Sequence, residues 1–389
     1  MVAERAVTEA RAAPLPGGYG WYYFDGISLD GRYVVVATWY SGFIFSPRYY
    51  DEVLELRERE GAQPAEGTNL ADPTEFGAFG LGLYDRGRTV AYVVVETPLV
   101  RSGSDPWFPN LHSGRQGIGS PSPPPADSSL VVGENRLSMN PDGSYDLEFS
   151  DRSKWLRTVV KGRLNVRPLA GGSDIVPLGT EGDSGMEGTH EWQILASRAE
   201  VTGRISWSGP IDRRVKSLDL QALGYVDRNV GRLPISVNVG CWLWGRFQGS
   251  ERTIAYYRLD PADAPLGRRA GGGAEGEGPS PTHHYLFYGD RSGGRLVEGG
   301  KIEIERVRRN RWGMRHPLAI RGVVDEMEWR AEVARDVDRG PFYVRCLSRL
   351  NCPDEALDGV VGITECFLPA RWDVPLYRLF SKGRIRRGP

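Results

Sequence analysis

The chain has 389 residues, in which 49 lysines and arginines nearly balance 50 aspartates and glutamates. This balance gives no electrostatic argument for a nucleic-acid partner, and the length exceeds what one hydrophobic core usually supports. We therefore expect two domains. The sequence contains no apolar run of 18 residues and no apolar signal core near its start, which predicts a cytoplasmic protein without a membrane span.

Turn-forming residues are abundant, with 50 glycines and 27 prolines, and they predict many short strands instead of long helices. Residues 1–16 are polar and predict a mobile arm. The segment GYGWYYFDGISLDGRYVVV follows and predicts two strands joined at Ser28–Gly31. Val53, Leu54 and Leu56 stand among charged residues and predict a short surface helix.

Further strands are predicted on both sides of an irregular stretch at 101–127, in which Trp107 is a candidate for the mouth of a pocket. Asn140–Gly143 has the residues of a hairpin turn, and Leu376–Lys382 predicts a last helical turn. Because closed or nearly closed antiparallel barrels leave no exposed strand edges, we predict an all-β fold of two barrels. The expected domains are residues 17–235 and 236–389.

Two short patterns between His190 and Arg246 carry candidate chemistry, namely His190-x-Trp192 and Tyr225-x-Asp227-x-Asn229. Alternate residues of a β-strand share a face, so each pattern points its side chains one way. If the two strands lie side by side, an acid, an imidazole and an amide meet two aromatic rings. The structural alternative is an aromatic-rich strand that ends in an Asx-type turn.

The sequence offers no sign of a metal or a cofactor. Its cysteines, at 241, 346, 352 and 366, lack the paired spacing of a zinc site. It also lacks a phosphate-binding glycine loop, a dinucleotide fingerprint and a G-x-S-x-G elbow, which disfavours kinases, dehydrogenases and hydrolases. Glu365, an acid inside the apolar segment ITECF, could reach the cleft, but an outward orientation on its strand is the favoured interpretation.

Several segments together resemble one family. They are GYGWYYFDGISLDGRYVVV, RLSMNPDGSYDLEF, VKGRLNVRPLA, His190-x-Trp192, GYVDRNVGRLP, CWLWGR and GITECFLPARWD. In these segments the chain resembles the carotenoid 1,2-hydratases, also called hydroxyneurosporene synthases, and their lipocalin-like relatives, which include pericyclase-type enzymes. The Tyr225-x-Asp227-x-Asn229 block followed by W-x-W-G-R is the specific part of the resemblance.

The resemblance implies two lipocalin-like antiparallel β-barrel domains with an apolar cleft or tunnel between or within them. It implies that His190, Trp192, Tyr225 and Asp227 are the functional residues. Leu243 departs from the family, which usually has an acid between the two tryptophans. Segments 50–75, 101–127 and 263–282 look like insertions, so the resemblance bears less on the substrate than on the fold.

The implied reaction is the cofactor-free addition of water to a terminal C=C bond of a carotenoid or other isoprenoid through a tertiary carbocation. A carboxylic acid in an apolar cavity keeps its proton at neutral pH, which makes Asp227 the candidate acid. Aromatic faces stabilise a cation without bonding to it. The residues expected to contact the substrate are Asn229, Trp242, Trp244 and Trp107.

Two alternatives use the same cleft. If an internal alkene quenches the cation, or if a polyene is only held in a reactive conformer, the protein is a cyclase, an isomerase or a Diels–Alder-type pericyclase. If no reaction occurs, it is a carrier of an apolar ligand and Asp227 is a structural acid. The basic tail Lys382–Arg387 leaves peripheral contact with the inner membrane as a further hypothesis.

Overall fold

The computed structural model describes residues 16–60, 71–102, 128–173, 176–178, 190–231, 234–235, 239–261, 282–298, 300–324 and 326–388. Trp107, most of the predicted arm and most of the proposed insertions at 101–127 and 263–282 lie outside these ranges.

The described part of the chain is built almost entirely from β-strands. In chain order they are β1 Tyr19–Ser28, β2 Tyr33–Ser41, β3 Ala78–Asp85, β4 Arg88–Glu96, β5 Val100–Ser102, β6 Ser128–Val132, β7 Asn135–Met139, β8 Tyr145–Arg152, β9 Val159–Ala170, β10 Val176–Leu178, β11 His190–Ser208, β12 Lys216–Gly231, β13 Val239–Gln248, β14 Thr253–Pro261, β15 His283–Asp290, β16 Gly293–Glu298, β17 Ile302–Arg309, β18 Arg315–Val324, β19 Met327–Arg339, β20 Tyr343–Asn351, β21 Val361–Phe367 and β22 Arg386–Arg387. The helices are α1 Pro47–Glu60, a 3-10 helix Pro369–Asp373 and α2 Pro375–Arg384.

The strands form two sheets. The first has thirteen strands in the order β22-β4-β3-β2-β1-β12-β11-β9-β8-β7-β6-β5, with β10 paired to β11; the second has nine, in the order β16-β15-β14-β13-β21-β20-β19-β18-β17. All pairs are antiparallel except β22 with β4. The all-β prediction is confirmed, as are the predicted turns between β1 and β2 and between β7 and β8.

The first sheet curls around its own core, because side chains from strands distant in the sheet order meet inside it. Phe24 of β1 lies 5.3 Å, between ring centroids, from Tyr145 of β8, and Phe79 of β3 lies 6.1 Å from Phe149 of β8. The second sheet closes in the same way, since Tyr256 of β14 stacks on Trp329 of β19 at 5.3 Å.

A third apolar layer lies between the two sheets. In β1, Tyr22 and Phe24 point into the first core, whereas Trp21 and Tyr23 point toward the second sheet. Both faces of this strand are therefore covered, which explains why its sequence is aromatic almost without interruption. The residues of the two motifs, together with Trp242 and Trp244, lie in or beside this layer.

Apart from β22, the strands of the first sheet end at Gly231, and those of the second sheet begin at Val239. The last strand, β22, nevertheless returns to β4 of the first sheet, so the division at residue 235 stays a prediction. The predicted helices near Val53 and Leu376 are present as α1 and α2. None of the helices in the described ranges is both long and apolar enough to cross a membrane.

Candidate active site

The two motifs lie on neighbouring antiparallel strands, as the hypothesis required. Trp192 of β11 pairs with Asn229 of β12, and the same register places His190 opposite Gly231. Alternation then brings Tyr225 and Asp227 onto the face shared with His190 and Trp192. That face looks onto the second sheet, so the motif residues are enclosed between the sheets and not inside the first barrel.

Asp227 is the centre of the arrangement, and only 2% of it is exposed. Its Oδ2 accepts a hydrogen bond from Trp192 Nε1 at 3.0 Å and another from the Tyr225 hydroxyl at 3.0 Å. Its Oδ1 accepts a bond from Asn229 Nδ2 at 3.0 Å. All three donors are neutral, and none of the ion pairs among the described residues includes Asp227.

Burial raises the pKa of Asp227 well above its usual value, and the hydrogen bonds from Trp192 and Tyr225 oppose the rise. Desolvation favours the neutral acid because the anion would lose its hydration without gaining a cation. The shift is in the direction that a general acid needs, because it favours the protonated carboxyl group.

His190 does not contact Asp227 directly but reaches it through Asn229. The His190 Nε2 atom lies 3.1 Å from Asn229 Oδ1, and the Tyr19 hydroxyl lies 2.8 Å from His190 Nδ1. Burial lowers the pKa of His190 to about 4, so the ring is neutral at pH 7. Because the Asn229 amide donates to Asp227, its oxygen accepts from Nε2–H, and His190 Nδ1 accepts from Tyr19.

Aromatic rings from both sheets enclose this group. Trp244 of β13 lies 5.6 Å from the ring of Tyr225 and 5.0 Å from that of Tyr23. Trp242 lies 5.9 Å from Trp21. Among the described residues, the indole nitrogens of Trp242 and Trp244 are buried without a hydrogen-bond partner, so this wall carries two unused N–H donors.

Comparison with known proteins gives a consistent result, although no protein-family model matches the chain. The hydroxyneurosporene dehydrogenase of Chlorobaculum tepidum is 25% identical over 377 residues, which cover 96% of this chain and 88% of the relative. The acyclic carotenoid 1,2-hydratase of Rubrivivax gelatinosus is 28% identical over 246 residues, which cover 62% of this chain and 47% of the hydratase. The match thus spans about half the length of that hydratase. The predicted resemblance to the carotenoid 1,2-hydratases is confirmed.

Solved structures agree on the fold. An AttH-type protein from Nitrosomonas europaea has a TM-score of 0.56 at 13% identity, with 94% of this chain and 99% of that one covered. CghA with Sch210972 has a TM-score of 0.55 at 12% identity, covering 91% and 89%. Kievitone hydratase from Nectria haematococca has a TM-score of 0.51 at 13% identity, covering 92% and 90%. These likenesses concern the fold alone, and they confirm the lipocalin-like prediction.

Sequence reasoning missed part of the site. Tyr19, Trp21 and Tyr23 of β1 face it, and their alternation has the same period as the two motifs, which could have identified them. The hydroxyl of Tyr257, on β14, lies 2.8 Å from His190 Nε2. Nothing in the local sequence of Tyr257 indicates this contact, because it depends on how the second sheet packs against the first.

The outward orientation predicted for Glu365 is wrong. Glu365 is 5% exposed and lies between the sheets, where Arg345 Nε donates to its Oε1 at 2.7 Å and the Tyr23 hydroxyl lies 3.5 Å away. Glu365 pairs with Trp244 across β13 and β21, so an acid does stand beside the W-x-W block, on the neighbouring strand. Leu243 instead points into the core of the second sheet.

One group of side chains in the described residues has the spacing of metal ligands, namely His316, Asp336 and Cys346, whose ligand atoms lie within 4.8 Å of one another. Arg308 already donates to this group, to His316 Nε2 at 3.2 Å and to Asp336. A guanidinium thus supplies the positive charge that a metal would bring. The absence of a metal in this protein stays a prediction, and Trp107 lies outside the described residues.

Proposed function

We propose that this protein adds water to a C=C bond of an apolar, isoprenoid-like substrate, with Asp227 as the proton donor. The observation that supports this most directly is the environment of Asp227, a carboxyl group buried among aromatic rings and contacted only by neutral donors. An acid that is to protonate carbon must hold its proton at neutral pH, and this environment favours the protonated form.

In the first step, the Asp227 proton moves to the less substituted alkene carbon, and the electrons of the C=C bond form the new C–H bond. A tertiary cation and the Asp227 carboxylate result. The hydrogen bonds from Trp192, Tyr225 and Asn229 strengthen as negative charge develops on the carboxylate. They therefore stabilise the transition state more than the ground state, which is the requirement for acceleration.

The cation next needs protection from side chains that would form a bond with it. The rings of Tyr225, Trp244 and Tyr23 pack against one another on this side of the site, and aromatic faces stabilise a cation by roughly 0.5 to 2 kcal/mol each without reacting. Water then adds to the tertiary carbon. Its extra proton returns to Asp227, which restores the acid and completes the addition of H2O.

Relatives support this assignment, since carotenoid 1,2-hydratases are among the proteins that the chain resembles and hydration is the reaction in their name. Their names also suggest the substrate class, an acyclic carotenoid. His190 has a positioning role in this scheme, because it fixes the orientation of the Asn229 amide that donates to Asp227.

The test is product analysis by mass spectrometry after incubation with acyclic carotenoids and shorter isoprenoids that carry a terminal trisubstituted alkene. We expect a gain of one water with the natural protein, loss of that product with Asp227→Asn, and full activity with Asp219→Asn. Asp219 is a matched control, because it lies on the same strand with an 80% exposed side chain.

Other outcomes would replace the proposal. A product of unchanged mass but altered retention would indicate cyclisation or isomerisation. An active Asp227→Asn variant that gives such a product would favour a pericyclase, which needs no acid. Tight binding of a substrate without any product would indicate a carrier of an apolar ligand.

A further inference from the structure

Two loops of the first sheet lie side by side, one between β8 and β9 and the other between β11 and β12. In the sheet, β9 lies between β8 and β11. Its first residue, Val159, pairs with Arg152 at the end of β8 and with Ser208 at the end of β11. Segments 152–159 and 208–216 therefore form neighbouring parts of one surface, which we call the loop surface.

The loop surface exposes large apolar side chains. Ile211 is 96% exposed, Val215 is 72% exposed and Trp155 is 54% exposed, and Val159 between the two loops is exposed as well. Single apolar residues on a surface are common and need no explanation. Four of them at one end of a sheet indicate contact with an apolar partner.

The same surface is strongly basic. Segments 152–159 and 208–216 contain one acid, Asp212, and six cations in a chain whose formal charge is −1; the cations are Arg152, Lys154, Arg157, Arg213, Arg214 and Lys216. Asp212 lies 3.8 Å from Lys216. Within the part of the chain that the structure describes, the other five cations belong to no ion pair, so the loop surface keeps an excess of positive charge.

The basic C-terminal tail adjoins the loop surface. Lys154 Nζ donates to the carbonyl oxygens of Lys382 and Ile385, at 2.8 Å in each case. The side chains of Lys382 and Arg387 are exposed. The tail therefore adds cations next to the loop between β8 and β9.

An anionic membrane matches both features of the loop surface. Its charged headgroups attract lysine and arginine, and tryptophan and aliphatic side chains enter the boundary between headgroups and acyl chains. The cores of interfaces between proteins are instead depleted of charged residues, whereas here six cations are interspersed with four apolar side chains. The combination therefore favours a lipid partner.

We propose that the loop surface docks this protein reversibly on an anionic membrane. Ile211, Val215 and Trp155 lie at the level of the headgroups, and the surrounding cations contact anionic lipids. Docking does not depend on the chemistry of Asp227, because no residue of the loop surface belongs to the candidate active site. It holds the protein at the phase in which an apolar substrate of the proposed kind dissolves.

The test is co-sedimentation of the full chain with vesicles of mixed phosphatidylglycerol and phosphatidylcholine, and with vesicles of phosphatidylcholine alone. We expect at least about tenfold stronger partition into the anionic vesicles, and a decrease as the salt concentration is raised. Anionic vesicles whose phosphatidylcholine carries brominated acyl chains should quench part of the tryptophan fluorescence. Trp155→Phe should lose that part of the quenching.

Charge variants test the role of the cations. Because each cation near an anionic membrane contributes about a fivefold increase in partition, Arg213→Gln combined with Arg214→Gln should lower it about 25-fold. The matched control combines Arg167→Gln on β9 with Arg321→Gln on β18. Both control arginines are exposed and lie outside the loop surface, so the control changes the net charge equally and should leave partition nearly unchanged.

Apolar variants test the role of the loop tips. Ile211→Ser combined with Val215→Ser should lower partition into anionic vesicles at least about tenfold, because the tips no longer enter the headgroup boundary. Leu169→Ser combined with Val100→Ser is the matched control, since both residues are exposed and lie outside the loop surface. Melting temperatures would show that each variant is folded.

Three results would overturn the inference. The first is equal partition into the two kinds of vesicle, or no sedimentation with either, and the second is equal weakening by the loop variants and their controls. The third is dimerisation that the loop variants abolish, in a protein that does not bind anionic vesicles, which would show that the loop surface joins two copies of the chain. Asp227→Asn should bind vesicles like the natural protein, so a failure of the proposed function would leave these results unchanged.

Discussion

Two buried aspartates on neighbouring strands have opposite environments. Asp25 of β1 pairs with Tyr225 of β12, and Asp227 of β12 pairs with Tyr23 of β1. Each aspartate is 2% exposed. Asp25 nevertheless accepts two bonds from the guanidinium of Arg246, through Nε at 2.9 Å and through Nη2, whereas Asp227 accepts only neutral hydrogen bonds.

The difference shows that burial alone does not make an acid chemically useful. Burial raises the pKa of both carboxyl groups, but at Asp25 the charge of Arg246 opposes the rise. A buried carboxylate with an arginine partner is a structural element, and here it links β1 of the first sheet to β13 of the second. A buried acid without a cation holds its proton and can donate it, and the predictions below test this contrast in order of expected effect.

The largest effect is expected for Asp227→Asn. Loss of a general acid should lower turnover by about 100- to 10,000-fold, while the free energy of unfolding changes by no more than about 1.5 kcal/mol. The stability change is small because a neutral amide replaces a neutral acid. Single-turnover kinetics measure the turnover, and urea denaturation at pH 7 measures the free energy of unfolding. A variant that does not fold would instead show that Asp227 has a structural role.

In contrast to Asp227→Asn, the Asp25→Asn variant should change mainly the free energy of unfolding. The substitution leaves the guanidinium of Arg246, which is 1% exposed, buried without its anion, so we expect a loss of about 3–5 kcal/mol in the free energy of unfolding. The double variant Asp25→Asn, Arg246→Met should recover much of that loss. A single variant as stable as the natural protein in urea would contradict the contrast between the two acids.

Protonation of His190 should make the free energy of unfolding depend on pH. Burial lowers its pKa to about 4 in the folded protein, against about 6.5 for an exposed histidine, so the unfolded chain takes up the proton first as the pH falls. Stability should therefore decline between pH 6.5 and pH 4, by roughly 3 kcal/mol from this group. The measurement is the urea midpoint of unfolding across pH 4–8. As the pH falls, the midpoint should decline less steeply in His190→Gln than in the natural protein, and above pH 7.5 the two curves of midpoint against pH should run parallel. An equally steep decline in the two proteins would show that His190 does not titrate in this way.

The smallest effect is expected for Tyr225→Phe. Removal of one donor to the developing carboxylate should lower kcat by about tenfold to a few hundredfold. The Tyr225 hydrogen bond lowers the pKa of Asp227, so its loss should move the alkaline limb of the pH profile to higher pH. Tyr23→Phe is the matched control, because Tyr23 pairs with Asp227 but its hydroxyl contacts Glu365; equal effects of the two variants would argue against a specific role for Tyr225.

The sequence by itself determined the strands and the two motifs. Alternation within a strand is a local property of the backbone, so His190 with Trp192, and Tyr225 with Asp227 and Asn229, could be assigned to shared faces before any tertiary structure was known. The turns at Ser28–Gly31 and Asn140–Gly143 follow in the same way from local glycine and asparagine chemistry.

Only the tertiary structure decided which faces of the two sheets pack against each other. Tyr257 and Trp244 reach the site because the second sheet packs on the outer face of the first, and this contact joins residues far apart in the chain. The same packing buries Glu365 beside Arg345, against the local prediction. The packing also gives Asp25 and Asp227 different chemical environments. The guanidinium of Arg246 lies 2.9 Å from Asp25 because of where Arg246 stands in the second sheet, and the sequence pattern around either acid does not indicate it.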